Sequence, residues 1–100
     1  MEERSYRQSR VCRLLGNPVA FAVVHLLAES RQMSPSEIAK AVGWSVLRIS
    51  NVLAALRLAD VVRYDTEGRQ ARYRLKHPHE ARKVLDALSG FVKIASVVQR

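Results

Sequence analysis

Two side chains that each offer a pair of hydrogen-bonding groups lie three residues apart in the middle of the chain. They are Arg48 and Asn51, and the hydroxyl groups of Ser45 and Ser50 lie beside them. Arg pairs its donors with guanine and Asn pairs with adenine, whereas the adjacent Val46-Leu47 could touch only a thymine methyl group. Residues three apart on a helix share a face. In a chain that binds DNA, the candidates for base reading are therefore Ser45, Val46, Leu47, Arg48, Ser50 and Asn51.

The basic residues around this segment are suited to contacts with phosphate groups. Seventeen Lys and Arg against nine Asp and Glu give the chain a net charge of +8. This charge favours a polyanionic partner, with nucleic acid ahead of an anionic membrane surface, and a basic surface without a partner is the alternative. Contacts to phosphate position a protein on a duplex but carry no sequence information. We expect them from Ser34, Lys40, Arg57, Arg63, Arg69 and Arg72.

The sequence lacks the patterns of catalytic sites. Its four glycines are scattered, so they form no phosphate-binding loop. No nucleophile lies in a recognisable Ser/His or Cys/His arrangement. We therefore expect no enzymatic activity and no cofactor.

The single cysteine, Cys12, excludes an internal disulfide and a Cys-x-x-Cys zinc site, as is usual in a reducing cytoplasm. It lies between Arg10 and Arg13, and neighbouring cations make a thiol more reactive. Cys12 could therefore sense oxidants through a disulfide between two copies of the chain. The alternative that we favour is a small apolar residue of the first helix.

The chain is long enough for one folded domain, to which we assign residues 1–100. Its composition of 48% apolar and 26% charged residues is that of an ordinary globular protein. The polar segment 1–10 is expected to be loose. A short apolar helical face follows at Val11–Leu15 and ends at Gly16.

An almost entirely apolar helix is predicted from Pro18 to Glu29. Asn17 is a good N-cap, and the missing N–H of Pro18 costs nothing at the first helical position. His25 is expected to be buried and hydrogen-bonded inside this helix. The apolar run 19–28 follows a basic segment, as in a signal peptide, but it has about half the length of a membrane span. We expect no membrane association and a cytoplasmic location.

Two short helices joined by a tight turn are predicted next. Ser34-Pro35-Ser36-Glu37 matches a capping box, in which Ser34 and Glu37 each bond to the other's backbone N–H. The apolar positions 38, 39 and 42 share one face of the first helix, and Gly43 ends it. After Trp44, Ser45 caps the second helix. This arrangement is a helix-turn-helix.

The periodicity then changes to that of two strands, at 61–65 and 70–75, with a turn at 66–69. Gly68 supplies the positive φ that such a loop needs. The packed face would contain Val62, Tyr64, Ala71, Tyr73 and Leu75, and the other face Arg63, Arg72 and Arg74. The sequence therefore predicts a basic hairpin, or wing. For each arginine the alternative is a solvated sheet face.

A last helix is predicted over residues 78–98, with apolar residues spaced three and four apart. The stripe is too long for so small a domain to cover, so it indicates a dimer seam; packing within its own domain is the alternative. The expected dimer residues are Leu14, Val84, Leu85, Leu88, Phe91, Val92 and Ala95.

This succession of elements resembles the ArsR-type (ArsR/SmtB) winged-helix repressors over about residues 14–88. The matching segments are Gly16-Asn17-Pro18, Ser36-Glu37-Ile38-Ala39 with Gly43, Ser45 to Leu56, Ala59-Asp60-Val61-Val62, and Glu67-Gly68-Arg69 with Tyr73 and Leu75. The resemblance implies a homodimeric bacterial or archaeal repressor that leaves its operator when an effector binds. The family commonly shows Gln then Pro or Ala where this chain has Val46 and Leu47.

The chain also departs from the family at its metal sites. Family metal sensors often carry Cys-x-Cys where this chain has Met33–Ser36. Others place ligands at both ends of the last helix, whereas here His77, His79 and Glu80 lie at the start and 92–98 offers no ligand. A transition metal needs about four N, S or O ligands, so we expect no metal site.

We therefore predict a mainly α winged helix-turn-helix fold with a two-stranded wing, dimerising through its terminal helices. The predicted function is sequence-specific regulation of transcription on double-stranded DNA, as a homodimeric repressor released by an unknown effector. One alternative is a protein-interaction module that uses the Val46-Leu47 surface or the dimer stripe. Another is a redox sensor that uses Cys12, or a metal sensor that uses His77 and His79.

Overall fold

The computed structural model describes the backbone of residues 2–98 and the side chains of residues 2–93. Over this range the fold is mainly α with one antiparallel hairpin, as the sequence predicts. The helices are α1 (Glu3–Leu15), α2 (Pro18–Glu29), α3 (Pro35–Val42), α4 (Val46–Leu58) and α5 (Pro78–Val98), and the strands are β1 (Val62–Glu67) and β2 (Gln70–Leu75).

Helix α1 begins much earlier than the sequence predicts. The expectation of a loose segment over 1–10 does not hold from Glu3 onwards, because residues 3–10 form the first turns of α1. Neither Gly nor Pro interrupts this stretch, and Glu3 in the first turn and Arg13 in the last suit the helix dipole. The helix has no buried residue and ends where the Gly16 N–H donates to the Cys12 carbonyl at 3.0 Å.

Helix α2 is the central helix and has the predicted bounds. The Asn17 side chain accepts hydrogen bonds from the N–H groups of Val19 (2.9 Å) and Ala20 (3.2 Å). The prediction that His25 is buried was wrong. Its side chain is 56% exposed and lies 2.9 Å from Glu29 Oε1, one helical turn away on the solvent side.

Helices α3 and α4 form the predicted helix-turn-helix. The Glu37 N–H donates to Ser34 Oγ at 3.2 Å and the Ser34 N–H to Glu37 Oε1 at 2.8 Å, which completes the capping box. Gly43 ends α3 in the left-handed region with φ of 78°. Ser45 then caps α4 through a hydrogen bond to the Arg48 N–H (3.1 Å). The chain turns by 111° between the two helices.

The hairpin is longer and better supported than the sequence predicts. Thr66 and Glu67 extend β1 by pairing with β2, so the loop shrinks to Gly68 and its neighbour. Gly68 has φ of 63°, as expected. Met33 adds a single antiparallel bridge to β2, since it exchanges backbone hydrogen bonds of 2.8 and 3.0 Å with Tyr73. The wing is therefore joined to the chain segment that enters the helix-turn-helix.

The core lies where α2 meets α3, α4 and the base of the hairpin. Its buried apolar residues are Val19, Ala20, Val23, Val24, Leu27, Ala28, Ile38, Ala39, Ile49, Leu53, Leu56, Val62 and Leu75. Helix α5 packs on this core through the partly buried Ala81 and Leu85. The Arg82 guanidinium donates to the Ala28 carbonyl at 2.9 Å and so satisfies a group at the end of α2.

Between residues 2 and 98 no single helix is both long and apolar enough to cross a membrane. Two bent pairs, α1 with α2 and α3 with α4, reach that length and composition only when joined.

Candidate nucleic-acid interface

The first turns of α4 present to solvent every residue predicted to read bases. Ser45, Val46, Leu47, Arg48, Ser50 and Asn51 are all exposed. The exposed fraction is 47% for Val46 and 73% for Leu47, although both side chains are apolar. The opposite face of α4 contributes Ile49, Leu53 and Leu56 to the core. The N-terminal end of α4 is therefore an accessible surface with both apolar and hydrogen-bonding groups.

Arg48 and Asn51 lie on the same side of α4, as their spacing predicts. Both border a shallow cleft between α4 and the junction of α1 and α2, where Leu14 and Asn17 form the other wall. The guanidinium of Arg48 lies over the ring of Trp44, with 4.5 Å between Cζ and the ring centroid. Sequence reasoning gave Trp44 no functional role, although the spacing of four residues was a usable signal.

The outer face of the wing is more mixed in charge than predicted. The register opposes Arg63 to Arg74 and Asp65 to Arg72, so Asp65 and Glu67 share the face with the arginines. Arg74 Nε lies 3.2 Å from Asp65 Oδ2. Strict alternation along β1 was the signal that would have placed these two acids. Arg63 and Arg69 are exposed and form no ion pair among the described residues.

Arg72 joins the wing to the helix-turn-helix rather than projecting freely. Its guanidinium donates to the Gln32 carbonyl at 3.3 Å and lies 3.4 Å from Glu37 Oε1 and 3.8 Å from Glu67 Oε2. Its side chain is only 25% exposed. Partners within the chain engage all three nitrogen atoms of Arg72, so the predicted phosphate contact would have to replace some of these interactions.

Glu37 takes part both in the contacts of Arg72 and in the capping box of α3. The hydrogen bond from the Ser34 N–H is the main cause that lowers the pKa of Glu37; burial opposes it, and Ser34 Oγ and Arg72 add to it. Ser34 itself is 1% exposed and uses its hydroxyl to cap α3. The predicted phosphate contact of the Ser34 hydroxyl would therefore compete with its capping of α3.

The two remaining phosphate candidates are both exposed. Lys40 lies in the last turn of α3. Arg57 lies on the wing side of α4, where its Cζ is 5.5 Å from the centroid of the Tyr64 ring. With Arg63 and Arg69 they make four exposed basic residues among the phosphate candidates.

The predicted dimer residues fall into two groups. Val84, Leu88, Phe91 and Val92 are 40–73% exposed, whereas Leu14 and Leu85 are partly buried against the core. The side chain of Ala95 lies outside the described residues. Beside these residues, α1 and the start of α5 enclose a mainly apolar cleft of about 350 Å³.

The predicted sensing residues form no common site in the described part of the chain. Cys12 is a free, exposed thiol on α1. His77 and His79 are exposed at the start of α5. No cluster of three or more His, Cys, Asp or Glu side chains suited to a metal ion occurs among residues 2–93.

Comparison with known proteins adds relatives of the same architecture, although no family model matches the chain. The HTH-type transcriptional regulator KmtR of Mycobacterium tuberculosis is 37% identical over 78 residues, which are 78% of this chain and 59% of KmtR. The chain thus spans about three fifths of the length of that curated relative.

Two solved structures share both the fold and about a quarter of the sequence. Mb0332 of Mycobacterium bovis, a homodimeric winged helix-turn-helix DNA-binding domain of a possible ArsR-family transcriptional regulator, is 26% identical with a TM-score of 0.76, over all of this chain and 94% of that one. The transcriptional repressor BigR of Xylella fastidiosa is 26% identical with a TM-score of 0.78, over 91% of each chain. With the order of elements described above, these likenesses show that the chain has a winged helix-turn-helix fold and is similar to ArsR-type transcriptional regulators.

Proposed function

We propose that this chain is a sequence-specific DNA-binding regulator of transcription. It acts as a homodimeric repressor that an effector of unidentified chemistry releases from its operator. The observation that carries the proposal is the exposed first turn of α4, in a chain whose wing also presents the exposed Arg63 and Arg69. The similar proteins KmtR and BigR, both regulators of transcription, support it.

In this proposal the first turn of α4 enters the major groove. Arg48 donates two hydrogen bonds to a guanine, Asn51 pairs with an adenine, and Val46 and Leu47 contact thymine methyl groups. Ser45 and Ser50 add hydrogen bonds at the edge of this contact. Phosphate contacts come from Lys40, Arg57, Arg63 and Arg69, which fix the register of the protein on the duplex.

Two copies would pair through the exposed stripe of α5, with α1 beside it. A symmetric dimer places its two recognition helices on half-sites about one helical turn apart, or a multiple of it. The homodimeric state of Mb0332 supports this arrangement. The proposal places the protein in the cytoplasm and includes no catalytic activity.

The test is to pass sheared genomic DNA over the purified chain and sequence the retained fragments. A shared inverted motif with half-sites at helical spacing is expected. Fragments without a common motif would contradict sequence-specific regulation. The affinity for the recovered motif should also fall steeply with salt, because phosphate contacts release counterions from the duplex.

Exposed apolar groups favour a second candidate, a protein-interaction module. Three apolar side chains at the start of α4 are 46–73% exposed: Trp44, Val46 and Leu47. A protein partner bound through these side chains would show little salt dependence, which separates it from DNA binding. The exposed Cys12 keeps redox sensing as a further candidate, which a thiol-modification assay on the DNA-bound and free protein would test.

A further inference from the structure

We propose that Trp44 is a specificity-determining positioning residue, which stacks on the Arg48 guanidinium and holds it ready to pair with a guanine. This inference rests on the proposed DNA-binding function. It assigns the role to a residue of the turn between α3 and α4, outside the set of predicted base-reading side chains.

The backbone around Trp44 is fixed by the end of α3. The N–H groups of Gly43 and Trp44 both donate to the Ala39 carbonyl, at 2.9 and 3.1 Å. Gly43 adopts the left-handed conformation that this turn requires. The ring of Trp44 is nevertheless 46% exposed, so it contributes little to the core. A half-exposed tryptophan at a hydrogen-bonded turn needs a reason other than packing.

The reason is the position of Arg48. Its backbone N–H is held by the Ser45 hydroxyl at 3.1 Å, and its guanidinium lies 4.5 Å from the centroid of the Trp44 ring. Among the described residues no ion pair involves Arg48. Stacking on an aromatic ring uses the flat face of a guanidinium and leaves its in-plane N–H donors free for an acceptor.

Such an arrangement suits the reading of guanine. Two parallel hydrogen bonds to one base demand a guanidinium in a defined plane. A long side chain that is ordered before binding loses less conformational entropy when it binds. Stacking on Trp44 orders Arg48 in the free protein, so Trp44 should raise discrimination between sequences without contacting a base.

The first measurement examines the stacking without DNA. Trp44 is the only tryptophan of the chain, so its fluorescence reports on its own surroundings. Arg48→Ala should change the emission of the free protein. The control Arg57→Ala should not, because Arg57 lies over Tyr64 instead. Unchanged emission in Arg48→Ala would overturn the stacking.

The second measurement titrates wild type, Trp44→Ala, Trp44→Phe and the double variant Trp44→Ala/Arg48→Ala with a selected duplex and a scrambled one. A contact of this kind predicts a loss of selectivity of about 2- to 5-fold in Trp44→Ala, largely restored in Trp44→Phe, with unchanged affinity for the scrambled duplex. Leu58→Ala, which truncates another exposed side chain of α4, should leave selectivity unchanged.

The double variant shows whether Trp44 acts through Arg48. Once Arg48 is absent, removing Trp44 should have no further effect on selectivity. A further loss of the same size would show that Trp44 contacts DNA itself and would overturn the proposal, as would full selectivity in Trp44→Ala. If wild type fails to distinguish the two duplexes, the proposed function has failed, and the positioning role fails with it.

Discussion

At the scale of single residues, Arg72 shows how one side chain connects distant parts of the fold. Its contacts to the Gln32 carbonyl, Glu37 and Glu67 join the wing to the start of α3. Arg69, which directly precedes β2, has no such partner among the described residues. We therefore expect Arg72 to stabilise the fold and Arg69 to contact phosphate.

We expect Arg72→Ala to lower the free energy of unfolding by about 1 kcal/mol, because it removes a hydrogen bond to a carbonyl and two partly exposed ion pairs. Arg69→Ala should leave stability unchanged but reduce the slope of log K against log salt by about 1. Urea denaturation and DNA titrations at several salt concentrations measure both effects. A reduced salt slope in Arg72→Ala without loss of stability would identify Arg72 as a phosphate contact.

Asp60 predicts a pH dependence of stability. Its backbone has φ of 68° and its carboxylate accepts hydrogen bonds from Lys76 Nζ at 2.7 and 2.8 Å. The hydrogen bond from Lys76 is the main cause that lowers the pKa of Asp60, against an opposing effect of burial. A lowered folded-state pKa contributes stability above the unfolded-state value of about 4, and this contribution is lost as the pH falls through the folded-state pKa.

Asp60→Asn removes this charge and suits the left-handed backbone, since Asn also tolerates positive φ. The variant should be less stable than wild type at pH 7, and the difference should shrink towards pH 2–3. Denaturation by urea across this range measures it, with Asp86→Asn as a control, since Asp86 forms no ion pair among the described residues. A difference independent of pH would show that the Asp60 charge is not responsible.

At the scale of elements, the caps explain why most boundaries were predictable. A side-chain oxygen accepts a hydrogen bond from the first turn of each of α2, α3 and α4; the residues that provide it are Asn17, Ser34 and Ser45. Gly43 ends α3. These are local signals, complete within four residues of sequence. The base-reading candidates on α4 were predictable for the same reason, because the periodicity of one helix decides which of its residues face away from the core.

The features that sequence reasoning missed depend on longer-range or weaker signals. The Arg72 contact to Gln32 joins residues 40 apart in the chain, and no local sequence pattern predicts it. The early start of α1 was missed because residues 3–10 are mostly polar and all exposed, so they show no apolar periodicity. His25 was misplaced because the apolar residues around it concealed its solvent-facing side.

Substitution of glycine by alanine should have opposite effects on stability at two positions, Gly43 and Gly90. Gly43→Ala places a Cβ in a left-handed residue and should destabilise the fold by about 1–2 kcal/mol, although no atom lies within 4 Å of that Cβ. Gly90→Ala lies inside α5, on the side away from its apolar stripe, and also has open space. It should stabilise by about 0.5–1 kcal/mol. Thermal unfolding of both variants at one protein concentration measures the two changes in stability. Changes of the same sign and size would contradict this account.

At the scale of the whole molecule, the terminal helices leave apolar surface uncovered. Val84, Leu88, Phe91 and Val92 are exposed along α5, and α1 has no buried residue. A monomer of this size would hold these groups in contact with water. We expect a second copy of the chain to pack against α1 and α5 and bury these apolar side chains.

Leu88→Glu should convert the dimer to a monomer, because it would bury an unpaired charge at a cost of several kcal/mol. Sedimentation at micromolar concentration measures the change. The control Lys93→Glu adds a negative charge on α5 away from the stripe and should remain dimeric. A wild type that is itself monomeric under these conditions would contradict the proposed interface.

The central claim, that the first turn of α4 reads a DNA sequence, is tested most directly by titrating wild type and Arg48→Ala with a selected duplex and a scrambled one. We expect Arg48→Ala to lose about 1–3 kcal/mol of binding free energy on the selected duplex and little on the scrambled one. An equal loss on both would make Arg48 a phosphate contact. A wild type that binds both duplexes equally would contradict the claim itself.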